Sequence, residues 1–365
     1  MDLTAVALLL AGIAVLAVGG ELLVRGSAQL ATGAGIPPVV VGLTVVAFGT
    51  SAPELAVSLS SAFGGSPELA LGNVVGSNIS NVLLILGIGA LMAPLVVAQR
   101  LVRVEVPVMC AAALALFALG LDGGIDRLDG VLLSVALVVF VAVTAHRARR
   151  ESAAIRAEYA GEYGSRRATG RWWVRHATYV VVGLVTLVVG AAWLVDGAST
   201  IARGLGLSEL VIGLTVVAVG TSAPELATTI MATVRGERDI AVGNIVGSNI
   251  FNILCVLGFT ALVAPTGLPV PAAALRFDIP FMVAVCIACL PVFFQGYHIA
   301  RWEGAVFLAY YVAYVLYLYL DTVQHEALPA FSAALFLFAV PLTAVTLTVI
   351  ASRQLLGERR RTGAG

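Results

Sequence analysis

The sequence contains no lysine: all 21 of its basic residues are arginine, a coding bias to which no mechanism attaches. Charge of either sign is scarce, at 12% of 365 residues, where a soluble domain averages about 25%. The 21 acidic residues cancel the arginines. That balance removes the cationic surplus that nucleic-acid binding needs. Cysteine is limited to Cys110, Cys255, Cys286 and Cys289, all inside apolar stretches. Cys286 and Cys289 form a CxxC with no histidine or second CxxC beside it, so they read as small residues packed in a helix. No nucleophile–base pair and no cofactor motif appears, so neither an enzyme nor a bound cofactor is expected. The first segment, MDLTAVALLL, has no arginine before Arg25. It therefore lacks the basic region of a cleaved signal peptide and reads as the start of a spanning helix.

Apolar sequence, by contrast, is abundant: 60% of residues are hydrophobic and the mean hydropathy is +1.00. A membrane span needs about 20 predominantly apolar residues. Helices are predicted over 3–33, 37–63, 68–93, 101–120, 128–146, 173–203, 208–234, 239–263, 275–297, 304–320 and 328–351. Runs this continuous lack the alternation of a barrel strand, and only helices or closed barrels satisfy the backbone in lipid. The expected fold class is an all-α polytopic membrane protein seated in the lipid bilayer.

Arginine placement predicts its orientation. With the polar stretch 147–172 in the cytoplasm, only Arg127, Arg203 and Arg276 of the 21 arginines lie on the other side. The N-terminus is then outside and the C-terminus cytoplasmic, in a plasma or inner membrane. The stretch 147–172 is a linker too short for a regulatory domain, and no obligate protein partner is indicated.

The halves repeat each other. Residues 41–55, VGLTVVAFGTSAPEL, match residues 212–226, IGLTVVAVGTSAPEL, at 13 of 15 positions and an offset of 171. At the same offset GNVVGSNISN (72–81) matches GNIVGSNIFN (243–252). Fainter echoes, RVEVP (103–107) against RFDIP (276–280), carry the repeat through five helices per half. An odd number of spans inserts the second copy upside down, the architecture of secondary transporters with a midplane site. The chain therefore divides into a first half (1–146), the linker (147–172), an inverted second half (173–320), and an extra helix with a basic tail (321–365) outside the repeat.

Glu54 and Glu225 fall deep inside their spans, each just after a proline. A charged carboxylate at a helix centre costs about 2.5–3.5 kcal/mol on insertion scales, and no arginine lies at that depth to offset two of them. A bound cation is the natural partner, and the neighbours suit a hard one, since Ca²⁺ takes about 6–8 oxygen ligands. Pro53 and Pro224, with Gly49 and Gly220, are expected to loosen the helix and free the carbonyls of Ala47 and Ala218. Thr50, Ser51, Thr221 and Ser222 add hydroxyls. Ser77 with Asn81, and Ser248 with Asn252, sit four apart and so share a helix face. Gly72, Gly76, Gly243 and Gly247 give the spacing that lets helices approach closely.

These two GTSAPE blocks, each followed by GNxVGSNIxN, resemble the paired α-repeats of the sodium/calcium exchanger family, within the cation/Ca²⁺ antiporters. The resemblance covers residues 3–320. It implies that Glu54 and Glu225 bind Ca²⁺ centrally, and that Ala47, Thr50, Ser51, Ser77, Ala218, Thr221, Ser222 and Ser248 share the Ca²⁺ and Na⁺ positions. It also implies alternating access, with the first and sixth helices sliding across a static core. Some prokaryotic members carry aspartate at the position of Asn252; here Asn81 and Asn252 are both neutral, which leaves Na⁺ against H⁺ or K⁺ coupling open. The expected activity is Na⁺/Ca²⁺ antiport. A Ca²⁺/H⁺ exchanger on the same scaffold is the alternative, since buried carboxylates can be neutralised by protons. A cation channel is disfavoured by the inverted repeat, and a sensor by the lack of a substantial soluble domain. Among the remaining polar residues, Glu21 and Asp196 read as packing or pathway positions. Glu105 and Asp278 read as helix-start acids suited to the dipole. The tyrosine run 310–319 is expected to face lipid or the interface.

Overall fold

A computed structural model describes residues 3–34, 36–64, 67–149, 170–204, 218–294, 296–343 and 345–346. Among them nine helices are long and apolar enough to cross a membrane. The first half comprises α1 (Leu3–Ala34), α2 (Pro38–Phe63), α3 (Pro67–Met92), α4 (Leu101–Asp122) and α5 (Arg127–Arg149). The second comprises α6 (Gly170–Gly204), α7 in two pieces (Ala218–Thr221 and Ala223–Val234), α8 (Arg238–Val263), α9 (Ala274–Phe294) and α10 (Arg301–Thr322). The extra helix α11 begins at Leu328–Ala334 and continues through Leu335–Ala339. Most of the predicted linker, the start of the seventh predicted helix (208–217) and residues 347–351 of the eleventh lie outside the described residues.

Helices α1 and α6 meet along a ladder of small residues whose period is seven. Gly12, Gly19 and Gly26 on α1 face α6, and Gly183, Gly190 and Gly197 on α6 face α1. A methyl group added at Gly12 would lie 2.6 Å from the Leu194 nitrogen, and one at Gly183 would lie 2.7 Å from the Leu23 nitrogen. The pairing is antiparallel: Gly12 meets Gly190, Gly19 meets Gly183, and Gly197 meets Ala5. Equivalent helices of the two halves therefore run in opposite directions, as the odd repeat requires. Seven residues return a helix to nearly the same azimuth, so glycine at each step keeps the backbones in contact over the whole length.

The remaining helices pack around α3 and α8, whose apolar and small residues are almost wholly buried. A separate hydrophobic cluster joins α1 and α6 to α2, α7 and α8 through Leu16, Leu23, Val24, Val180, Leu187, Ala223 and Ile240. Two small ribbons clasp the halves together. Leu95–Val96 (β1) pairs antiparallel with His298–Ile299 (β4), and Gly124–Ile125 (β2) with Leu268–Pro269 (β3). The ninth helix, predicted to reach 297, ends at Phe294. Gly296 and Tyr297, at φ values of 68° and 53°, reverse the chain into β4. The tenth helix starts at Arg301 instead of 304, because the Glu303 carboxylate accepts the Ala300 N–H at 2.7 Å and caps the first turn.

Wider helical turns interrupt the regular pitch at matching places in the two halves. They span Asn81–Leu86 and Asn252–Leu257 in α3 and α8, and Leu101–Glu105 and Ala274–Asp278 in α4 and α9. Such turns insert a residue into the helical ladder and cluster at functional positions. The tyrosine run corrects its expectation. Ser80 donates to the Tyr311 hydroxyl at 3.4 Å, and the Tyr314 hydroxyl donates to Asp278 Oδ1 at 3.1 Å. Two of the tyrosines therefore point into the protein, because α10 packs on α3 and α9 and a phenol there finds a partner. Glu105 at the start of α4 forms an ion pair with Arg100 at 3.3 Å, Glu21 pairs with Arg235 across α1 and the end of α7, and Asp196 faces outward. The four cysteines are free and buried.

Candidate ion-binding site

Helices α2 and α7 are both broken at mid-length. The break falls at Ser51 (φ −79°, ψ 4°) and at Ser222 (φ −86°, ψ 8°), directly before Ala-Pro-Glu. Proline lacks an N–H and is tolerated only in the first turn of a helix. Pro53 and Pro224 accordingly occupy first-turn positions of a new helical segment in each case. Each break sets its glutamate one residue after the proline, in the first turn of the new segment. The expected release of the Ala47 carbonyl does not occur. It accepts the Ser51 N–H at 3.0 Å and the Thr50 hydroxyl at 3.4 Å, because the turn before Ser51 remains helical. Ala218 opens the short segment Ala218–Thr221.

Both carboxylates are fully buried. Glu54 Oε1 accepts from the Ser222 hydroxyl at 3.5 Å, and that hydroxyl lies 3.4 Å from Ser77 Oγ. Glu225 Oε1 accepts from the Ser248 hydroxyl at 3.4 Å, and Ser248 Oγ lies 3.4 Å from Thr50 Oγ1. Each acid is thus linked to hydroxyls of both halves. Ala47, Thr50, Ser51, Ser77, Asn81, Thr221, Ser222, Ser248 and Asn252 are all buried.

Four asparagines that the helix-face argument passed over organise the surroundings. Asn73 Nδ2 donates to the Glu54 backbone carbonyl at 3.1 Å and to Ser58 Oγ at 3.0 Å. Its repeat mate Asn244 accepts the Thr50 hydroxyl at 3.2 Å. Asn78 and Asn249 each donate to the other's backbone carbonyl at 3.4 Å. They also receive the site amides: Asn81 Nδ2 donates to Asn249 Oδ1 at 3.0 Å and Asn252 Nδ2 to Asn78 Oδ1 at 3.1 Å. All four were inside the duplicated motif, so the repeat itself was the signal that could have found them. The i, i+4 spacing selected the neighbouring face instead.

This network spends the NH₂ groups of Asn81 and Asn252 on α3–α8 contacts and leaves their oxygens over. Asn81 Oδ1, Asn252 Oδ1, Glu54 Oε2 and Glu225 Oε2 are buried with no hydrogen-bond partner among the described residues. Four orphaned acceptors with no donor are unfavourable unless a cation meets them. No group of three or more His, Cys, Asp or Glu exists among the described residues, so the donor set is two carboxylates supplemented by amide and hydroxyl oxygens. That chemistry fits hard cations rather than transition metals. Removing the amide link should be felt as stability: Asn78→Ala is expected to cost about 1–3 kcal/mol, because it strands the Asn252 NH₂ and the Asn249 carbonyl. A thermal unfolding midpoint equal to wild type would contradict this role.

Glycines bring the helices this close on the second half's side. An added methyl at Gly243 would lie 2.9 Å from the Val39 carbonyl, and one at Gly247 would lie 2.8 Å from the Leu43 carbonyl. The repeat mates of those two α2 residues fall at positions 210 and 214, outside the described residues.

Antiparallel five-helix halves, each contributing one broken helix with a buried acid at the break, define a secondary transporter of the inverted-repeat class. The profile of the sodium/calcium exchanger protein family matches residues 4–145 and 176–320. The putative antiporter CaxA of Alkalimonas amylolytica is 36% identical over 317 residues, covering 86% of this chain and 98% of its own length. The sodium/calcium exchanger MaX1 of Methanosarcina acetivorans is 33% identical over 343 residues, covering 86% and 97%. A solved structure of the sodium-calcium exchanger NCX_Mj matches with a TM-score of 0.73 at 30% identity, covering 87% of this chain and 100% of that one. The chain belongs to the sodium/calcium exchanger family and is a multi-pass membrane antiporter, not an enzyme.

Proposed function

We propose that the protein exchanges Na⁺ for Ca²⁺, expelling Ca²⁺ with the inward Na⁺ gradient, and that both ions use the site between Glu54 and Glu225. The observation that carries this reading is the set of four buried, unpartnered oxygens on Glu54, Glu225, Asn81 and Asn252. Two carboxylates neutralise one Ca²⁺. The hydroxyls of Thr50, Ser51, Ser77, Thr221, Ser222 and Ser248 and the carbonyl of Ala218 bring the oxygen count toward what Ca²⁺ or several Na⁺ require. Because the same two charges cannot compensate both loads at once, occupancy by one ion excludes the other, and that exclusion is the coupling.

The α1–α6 pair moves as one body across the site, held together by its glycine ladder, while α3 and α8 stay fixed through the asparagine network. The N-terminus faces outward, in keeping with the arginine asymmetry.

The test is radiolabelled Ca²⁺ uptake into proteoliposomes under an outward Na⁺ gradient or an outward proton gradient. Uptake driven by Na⁺ and not by protons is expected. Uptake driven by protons alone would move the chain to Ca²⁺/H⁺ exchange on the same site.

The neutral amide at position 252 provides a second test. Asn252→Asp places a carboxylate against Asn78 Oδ1, an acceptor that now receives an N–H. The variant must hold a proton there or break the contact, so the pH profile of its Ca²⁺ uptake should differ from that of wild type. An unchanged pH profile would remove Asn252 from the ion site.

A further inference from the structure

The eleventh helix lies outside the repeat, and the exchange reading gives it no task. The Tyr310 hydroxyl donates to the Ala339 carbonyl at 2.9 Å and lies 2.6 Å from Thr343 Oγ1, which fastens α11 to α10. Beside this clasp, α9, α10, Leu83 of α3 and the residues following α11 (Val340, Leu342, Thr343 and Thr346) line a cavity of about 530 Å³. Ala284 and Ala288 of α9, Val306 of α10 and Leu342 of the residues following α11 form its walls. Ala284 and Leu342 are exposed, so it opens on the outer surface of the bundle where the membrane lies.

The cavity is elongated. It runs along α9 from Arg276 to Val292, a distance of about 24 Å at 1.5 Å per residue. A volume of about 530 Å³ over that length leaves room for one hydrocarbon chain. A helix about 10 Å across is several times too wide, so neither a helical segment of this chain nor a helix of a second copy fits.

Its two ends differ in charge. Arg276 is exposed at one end and has no hydrogen-bond or ion-pair partner among the described residues, whereas the other end is closed by the buried Glu303 carboxylate. Arg103, the repeat mate of Arg276, is engaged with the Tyr297 hydroxyl at 3.5 Å. The repeat provides no third helix there, because α11 has no counterpart.

We propose that this cavity is a phospholipid site, with one acyl chain lying along α9 and the phosphate of an anionic headgroup at Arg276. The carboxylate at the far end disfavours an anionic headgroup there and so fixes the direction in which the lipid enters. Without α11 and the residues that follow it, the cleft loses the wall formed by Val340, Leu342, Thr343 and Thr346 and merges with bulk lipid. The extra helix is thus the element that turns a helix–helix groove into a site.

Native mass spectrometry of the full chain tests this, after exchange into a detergent that strips annular lipid, in the presence of phosphatidylglycerol or phosphatidylethanolamine. Wild type should retain one phosphatidylglycerol. Ala288→Trp, which fills the cavity, should retain none. Arg276→Gln should lose about fivefold in preference for phosphatidylglycerol over phosphatidylethanolamine, the share of one arginine at an anionic headgroup. Ala284→Leu, at an exposed position, serves if the larger substitution lowers the thermal unfolding midpoint. Loss of all phospholipid from wild type, a lipid-free dimer, or retention by Ala288→Trp and Ala284→Leu equal to wild type would each overturn the proposal. None of these readouts depends on which ion drives transport.

Discussion

Glu54→Gln and Glu225→Gln are each expected to reduce Ca²⁺ transport by more than about a hundredfold, since even residues that only orient metal ligands are worth 10–100-fold in affinity. Each substitution removes one of the two buried negative charges and replaces an acceptor oxygen with an NH₂ group. A Ca²⁺ ion between the helices would then carry an uncompensated positive charge in a low-dielectric interior, which is among the most unfavourable arrangements a membrane protein can hold. Folding should survive, because the glutamines are isosteric and neutral. Glu54 Oε1 accepts only a 3.5 Å bond from Ser222, and Glu225 Oε1 a 3.4 Å bond from Ser248. The measurement is Ca²⁺ uptake in proteoliposomes alongside a thermal unfolding midpoint. Wild-type uptake in either variant would remove that carboxylate from the ion site.

Gly19→Leu and Gly183→Leu should fail differently, by separating α1 from α6. A Cβ at Gly19 falls 2.9 Å from the Leu187 nitrogen, and one at Gly183 falls 2.9 Å from the Gly19 carbonyl and 2.7 Å from the Leu23 nitrogen. These neighbours are backbone atoms and have no rotamer to yield. Overpacking of this kind costs about 1–3 kcal/mol for added methylenes in a closed core, and a leucine adds several heavy atoms beyond the Cβ. Transport should be lost together with a fall in the unfolding midpoint, unlike the glutamate variants, where transport falls and the midpoint holds. Val18→Ala, one residue away on the exposed face of α1, should lie within about 0.5 kcal/mol of wild type. A Gly19→Leu protein with wild-type stability would refute the close backbone seam.

The sequence was most legible where one residue type could have only one use. Continuous apolar stretches placed nine of the helices within a few residues of the ends observed among the described residues, because lipid leaves a backbone no alternative to internal hydrogen bonding. The same reasoning singled out Glu54 and Glu225, which the structure buries completely, since a charge at that depth is too unfavourable to be incidental. It failed where identity depends on what a neighbour does. Asn78 and Asn249 look like any small polar residue on a helix, and only the approach of α3 to α8 turns them into each other's partners. The inward turn of Tyr311 and Tyr314 was invisible for the same reason, since a tyrosine at a membrane interface and one bonded to a buried carboxylate share a sequence pattern. The glycine ladder was readable in principle, as Gly12, Gly19 and Gly26 keep a strict spacing of seven. Its meaning came only with Gly183, Gly190 and Gly197 opposite.

By itself, then, the sequence determined the class of solvent, the number of repeats, their inversion and the two acids. Those follow from composition, from an odd count of spans and from the energy of charge in lipid, none of which needs coordinates. Tertiary structure decided which oxygens remain without a partner, that the Ala47 carbonyl keeps its donors, and that an added helix encloses a cavity beside Arg276. These depend on distances of a few tenths of an ångström between chain segments about 170 residues apart, and hydrogen bonding is sensitive on that scale while the linear order of residues is not.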